Sequence, residues 1–96
     1  MVWTVAIHTA KNFDQWLKFF NSPESTKERK NSGEKSYRIL KVLDDPNKFI
    51  LINEWDDLRK LQAFAQSEHL KEMQQKSGII EPPLIYLSEM VKQGQV

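Results

Sequence analysis

Ninety-six residues suffice for one domain, expected to span 1–96, and a domain this small buries a smaller share of its surface than a larger one, which favours help from a partner chain. Cysteine is absent, which removes disulfides, thiolate metal ligands and cysteine nucleophiles together. A formal charge of +1, with 28% charged and 40% hydrophobic residues, is ordinary globular composition and offers no polyelectrolyte argument for nucleic acid. The N-terminal residues lack the basic and long apolar regions of a signal peptide, and no apolar run approaches membrane-spanning length, so a soluble cytoplasmic protein with no membrane partner is expected. Val2 to Thr9 alternate as a strand, with Trp3, Val5 and Ile7 on one strongly apolar face and Val2, Thr4, Ala6 and His8 on a smaller, partly polar one.

After Lys11, the spacing of Phe13, Trp16, Leu17 and Phe20 predicts a helix with Asn12 as its N-cap and an aromatic stripe packed on the sheet. Asn21, Ser22 and Pro23 interrupt it; the polar segment Glu24 to Asn31 reads either as a short helix or as a loop, closed by Gly33. The basic cluster Lys27, Arg29, Lys30, Lys35, Arg38 and Lys41 is diluted by Glu28 and Glu34 and lacks interleaved aromatic rings, so it reads as a solvated face. Glu34 to Leu43 form a strand, Asp44 to Asn47 a tight turn, and Lys48 to Trp55 the returning strand.

At Trp55 the period changes from strand to helix. Asp57 to about Gln66 form a second helical region, Ser67 caps a further segment bearing Leu70 and Met73, and Gly78 ends it. Pro82 and Pro83 exclude helix before a last strand, Leu84 to Met90, and the tail from about Lys92 is polar and frayed. The order β-α-β-β-α-β with right-handed crossovers predicts a ferredoxin-like α+β fold, a four-stranded antiparallel sheet with its helices on one face. Both faces of the strands carry apolar side chains, and the helices cover one; a second copy is the simplest cover for the other, which predicts a homodimer.

Arg29 with Gly33, Asp44-Asp45-Pro46-Asn47, Glu54-Trp55, Ser67 with Leu70 and Met73, Gly78, and Pro83 before an apolar strand together resemble the dimeric α/β-barrel superfamily, in particular its antibiotic-biosynthesis-monooxygenase-like branch of proteins often labelled cyclases. The resemblance implies two ferredoxin-like subunits whose sheets close a barrel, each with a cavity between sheet and helices. It also implies a small organic ligand, polyketide-like aromatics or haem among them, and in some relatives oxidation by molecular oxygen with no dedicated cofactor. Haem-degrading relatives have a tryptophan before the serine of the second helical region and a histidine seven residues after it; Phe64 and Gln74 hold those places here, which disfavours haem degradation.

No Ser/His/Asp set, phosphate loop or dinucleotide fingerprint is present, and His8 and His69 lack partners at metal-ligand spacing, so no metal and no cofactor are expected and no catalytic residue is assigned. His69 reads as a surface or cap residue. Pairing Leu43 with Lys48 across the turn puts Arg38 with Asn53 and Trp55 on one sheet face, and Tyr37 with Glu54 on the other. The expected ligand site is therefore Arg38, Asn53 and Trp55, with His8 at its rim: a cation, an amide and a large aromatic suited to a small, largely apolar or aromatic compound. Glu54 reads as a helix-dipole or Arg38 partner before it reads as a base. The expected protein is a ligand-binding dimer, either monooxygenase-like or cyclase-like, or else a non-catalytic ligand-binding or structural homodimer.

Overall fold

The computed structural model describes residues 2–80 and 83–96, and of His69 the backbone alone. The expectations placed on Pro82 and on the His69 side chain lie outside the described residues. Eight elements follow in order: β1 (Val2–Thr9), α1 (Phe13–Phe20), α2 (Pro23–Asn31), β2 (Glu34–Lys41), β3 (Lys48–Trp55), α3 (Leu58–Ala65), α4 (Glu68–Lys76) and β4 (Leu84–Ser88). The strands form one antiparallel sheet in the order β2-β3-β1-β4, a ferredoxin-like α+β fold in which each helical region is split in two.

Each helix starts where a side-chain oxygen can replace a missing backbone partner. Asn12, Ser22, Asp57 and Ser67 cap α1 to α4 in turn. The segment left open between helix and loop is helical, with Pro23 opening it behind the Ser22 cap. Gly33 and Gly78 close the two helical regions at φ +92° and +82°, a conformation that glycine adopts without strain. Among the described residues no helix is long and apolar enough to cross a membrane.

The small face of β1 meets the helices. Thr4, Ala6, His8 and Ala10 are buried, and against them pack Trp16 and Phe20 of α1, with Phe49 of β3 wholly buried between. The bulk of the aromatic stripe dictates this choice: three rings need small side chains opposite if the layers are to reach native packing density. Trp3, Val5 and Ile7 consequently point to the open face, where Ile50, Ile52, Leu40, Leu84 and Tyr86 join them in register. Leu40, Leu84 and Tyr86 are more than half exposed there.

The β2–β3 connection corrects the expected register. Val42 N–H donates to the Lys48 carbonyl, so Leu43 belongs to the loop, where it is fully exposed. The pairs are then Tyr37 with Asn53 and Arg38 with Ile52. One added loop residue moves the side chains of β2 from Ser36 onward to the opposite face from that expected. Arg38 is exposed on the open face, away from Asn53 and Trp55, and Tyr37 lies on the helix side, edge-on to Phe20.

Candidate functional site

Between sheet and helices lies a cavity of about 150 Å3. Its floor is Thr4, Ala6 and His8 of β1 with Leu51, Asn53 and Trp55 of β3, and its roof comes from all four helices. The walls are mostly apolar, with Trp16, Phe20 and Phe64 supplying rings. Ile85 and Leu87 of the edge strand β4 also line it while staying about half exposed.

Three of the four residues expected at the site meet here: His8, Asn53 and Trp55. Arg38 does not, because of the register just described, and Tyr86 pairs with Val5 on the open face. His8 lies in the floor rather than at the rim, stacked on Phe49 at 5.2 Å between ring centroids. Its Nδ1 has no hydrogen-bond partner among the described residues, and burial pushes the imidazole down from 6.5 to about 4, so it is neutral at pH 7. The Trp55 indole N–H donates to Thr4 Oγ1 at 3.0 Å, and its ring leans on Phe64.

The cation of the site is Arg29, not Arg38. It leaves the basic cluster, whose other members stay exposed, and is buried beside Phe20 with its guanidinium carbon 3.5 Å from the ring centroid. Nη1 donates to Glu34 Oε2 at 3.0 Å and Nη2 to the Phe20 carbonyl at 3.0 Å. Asn53 Nδ2 donates to the other Glu34 oxygen. A bulge between Glu34 and Ser36 aims Glu34 inward opposite Trp55, where plain alternation would have left it on the same face as Ser36. Burial raises the Glu34 carboxyl above its usual range, against the opposing pull of Arg29, and lowers Arg29. Glu54, on the open face, accepts from Ser36 Oγ instead of serving the site.

Sequence reasoning missed Arg29, Glu34 and Ser25, the last of which is buried with its Oγ unpartnered among the described residues. One local signal existed: Ser25 and Arg29 stand four apart, hence on one face of a helix that otherwise has no apolar stripe to bury.

No curated protein matches the chain in sequence. Among solved structures, an antibiotic biosynthesis monooxygenase superimposes with a TM-score of 0.70 at 21% identity, over 96% of this chain and 100% of that one. A dimeric ferredoxin-like protein from an uncultured marine organism gives 0.68 at 15% identity over 100% of both chains. A candidate antibiotic biosynthesis monooxygenase from Deinococcus radiodurans gives 0.69 at 15%, over 100% of this chain and 98% of that one. At these identities the likeness speaks for the fold. The sequence itself speaks for the family: the model described as antibiotic biosynthesis monooxygenase matches residues 23–76, more than half of the chain and the stretch that carries Arg29, Glu34, Asn53 and Trp55, and the protein thus belongs to the antibiotic biosynthesis monooxygenase family.

Proposed function

We propose that this protein is a cytoplasmic homodimer that binds a small, largely apolar organic compound in the cavity between sheet and helices of each subunit. The observation that carries the reading is the cavity's chemistry: a mostly apolar space whose lining residues include His8, Ser25 and Arg29, each with a buried polar atom (Nδ1, Oγ and Nε) that has no partner among the described residues. An unpaired buried polar group costs roughly 1–3 kcal/mol, so three at one cavity favour an occupant that pairs with them. The apolar open face supports the dimer, since each large side chain buried against a second sheet contributes roughly 1.5–3 kcal/mol.

Family membership makes oxygen-dependent oxidation without a cofactor the first reaction to test. In such a reaction an activated CH2 becomes a carbonyl, one oxygen atom of O2 enters the product and the other leaves as water with the two hydrogens. A histidine with a pKa of about 4 is a poor base at neutral pH, so His8 serves to accept a hydrogen bond from a ligand hydroxyl rather than to remove a proton. Among the described residues the lining includes no carboxylate, lysine or tyrosine, and that observation favours a second reading, a ligand carrier without chemistry. Oxygen uptake by the purified protein with activated methylene aromatics, free of flavin, metal and haem, separates the two: uptake above the protein-free rate supports the enzyme, and binding without uptake supports the carrier.

A further inference from the structure

A second hollow, of about 360 Å3, lies where the last turns of α2 meet the start of β2. Thr26, Arg29 and Lys30 of α2 border it with Glu34, Lys35 and Tyr37 of β2, and the cavity between sheet and helices shares only Arg29 with it. Three cations thus surround one carboxylate. That carboxylate is spent: the Glu34 side chain is 7% exposed, its Oε2 accepts from Arg29 and its Oε1 from Asn53. Arg29 in turn is buried and pinned between Glu34 and the Phe20 carbonyl, which gives the hollow a rigid side.

What the hollow offers beyond that pair is donors. Lys30 has no partner among the described residues. Lys35 reaches Asp56 only at 3.8 Å, an exposed pair of the kind worth little, and Asp56 keeps Lys60 at 3.6 Å when Lys35 leaves. Both lysines are exposed on flexible stems, so either ammonium can swing over the hollow. Thr26 Oγ1 accepts from Arg29 Nη2 at 3.5 Å and keeps its own O–H to donate, and the hydroxyl of half-exposed Tyr37 has no partner among the described residues. A solvated basic face spreads its charges apart; here two ammonium groups border one depression with no free carboxylate in it, an arrangement that attracts an anion.

The class of anion follows from charge and size. A phosphomonoester brings roughly two negative charges and three acceptor oxygens at pH 7, which suits two ammonium groups with hydroxyls beside them. A cavity of about 150 Å3 admits a benzene ring, so the larger space here has room for a ring beside the phosphate, and Tyr37 supplies an aromatic surface for it. We propose that this hollow binds a small aryl phosphomonoester, its phosphate held by Lys30 and Lys35 and its ring against Tyr37. Binding here is independent of what occupies the inner cavity.

Amide chemical shifts of the isotope-labelled full chain, titrated at constant ionic strength with phenyl phosphate, inorganic phosphate and phenol, test this. Phenyl phosphate is expected to give saturating shifts confined to Thr26 through Tyr37 and to bind about fivefold more tightly than inorganic phosphate, while phenol leaves that segment unmoved. Lys30→Ala combined with Lys35→Ala should weaken phenyl phosphate about tenfold, and Lys71→Ala on exposed α4 should not. The lysines replaced are exposed, so the double variant is expected to keep the wild-type spectrum elsewhere and to report on binding alone. Shifts of equal size at lysines over the whole surface, or an equal loss in Lys71→Ala, would mark non-specific charge attraction and overturn the site. Phenol moving the segment as phenyl phosphate does would overturn the role of the phosphate. Inorganic phosphate binding as tightly as phenyl phosphate would make the free ion the ligand and overturn the ester. Saturating shifts at His8 and Trp16 instead would place phenyl phosphate in the inner cavity, which overturns this site and supports the ligand-binding reading above. No shift with any probe would overturn the site and leave that reading as it stands.

Discussion

His8 is held neutral by its surroundings, and that has a measurable consequence at the scale of one residue. Its folded pKa of about 4 lies below the ordinary 6.5, so the unfolded chain takes up a proton that the folded chain refuses. The stability tied to the neutral ring is complete above about pH 6.5 and is lost as pH falls toward about 4, in total about 3 kcal/mol. Urea unfolding across that window should therefore show a steeper acid loss for the wild type than for His8→Gln. The difference between the two isolates His8, because Glu34 titrates in both. Equal slopes would remove the argument for a desolvated imidazole. Trp55 is 4% exposed, so truncation to alanine would cost about 3–5 kcal/mol and confound binding with folding. Trp55→Phe keeps a ring and loses the bond to Thr4, and is expected to cost about 1 kcal/mol in the same assay.

At the scale of the element, α2 is unusual in being polar along its whole length yet anchored in the core. Its caps, the Pro23 start and the Arg29 guanidinium hold it, in place of an apolar stripe. Arg29→Met should destabilise by about 3 kcal/mol at neutral pH, since Glu34 would be left as an uncompensated buried charge. That loss should shrink as pH falls and Glu34 protonates, and Glu34→Gln in the same chain should recover most of it. A pH-independent loss, with no recovery, would show that packing on Phe20 rather than the ion pair holds the helix. Gly33→Ala is expected to cost roughly 2 kcal/mol or more. Its φ is +92° and an added Cβ would fall 2.4 Å from Asp56 Oδ1. Strands, caps and glycine stops were legible because each is written within a few residues: alternation in Val2–Thr9, Asn12 before an aromatic period, Ser67 before Leu70. The β2–β3 register was not, because it turns on whether Leu43 extends the strand or the loop. Its side chain is compatible with either, and the contacts that decide lie across the hairpin.

For the whole molecule, the homodimer proposed above turns on the apolar open face of the sheet. Ile50 and Ile52 point to it, whereas Leu51 between them lines the cavity. Under the homodimer reading, sedimentation of the wild type should give twice the chain mass. Ile52→Asp should give a folded monomer, and Leu51→Asp should lose the native near-ultraviolet signal instead. A wild type that sediments as a folded monomer at micromolar concentration would refute the dimer.

The sequence by itself determined the four strands, the capped helical regions and the ferredoxin-like topology, and left Glu24 to Asn31 open between helix and loop. These rest on local periodicity, on caps and on the handedness of crossovers, which are properties of short stretches and of chain connectivity. Only the tertiary structure decided which face of β1 turns inward, that Arg29 and not Arg38 is the buried cation, and that Glu34 joins it. Each of those depends on fit between segments far apart in the chain: small strand residues against the α1 rings, one loop residue setting a register, and one bulge turning a carboxylate toward an arginine on the preceding helix.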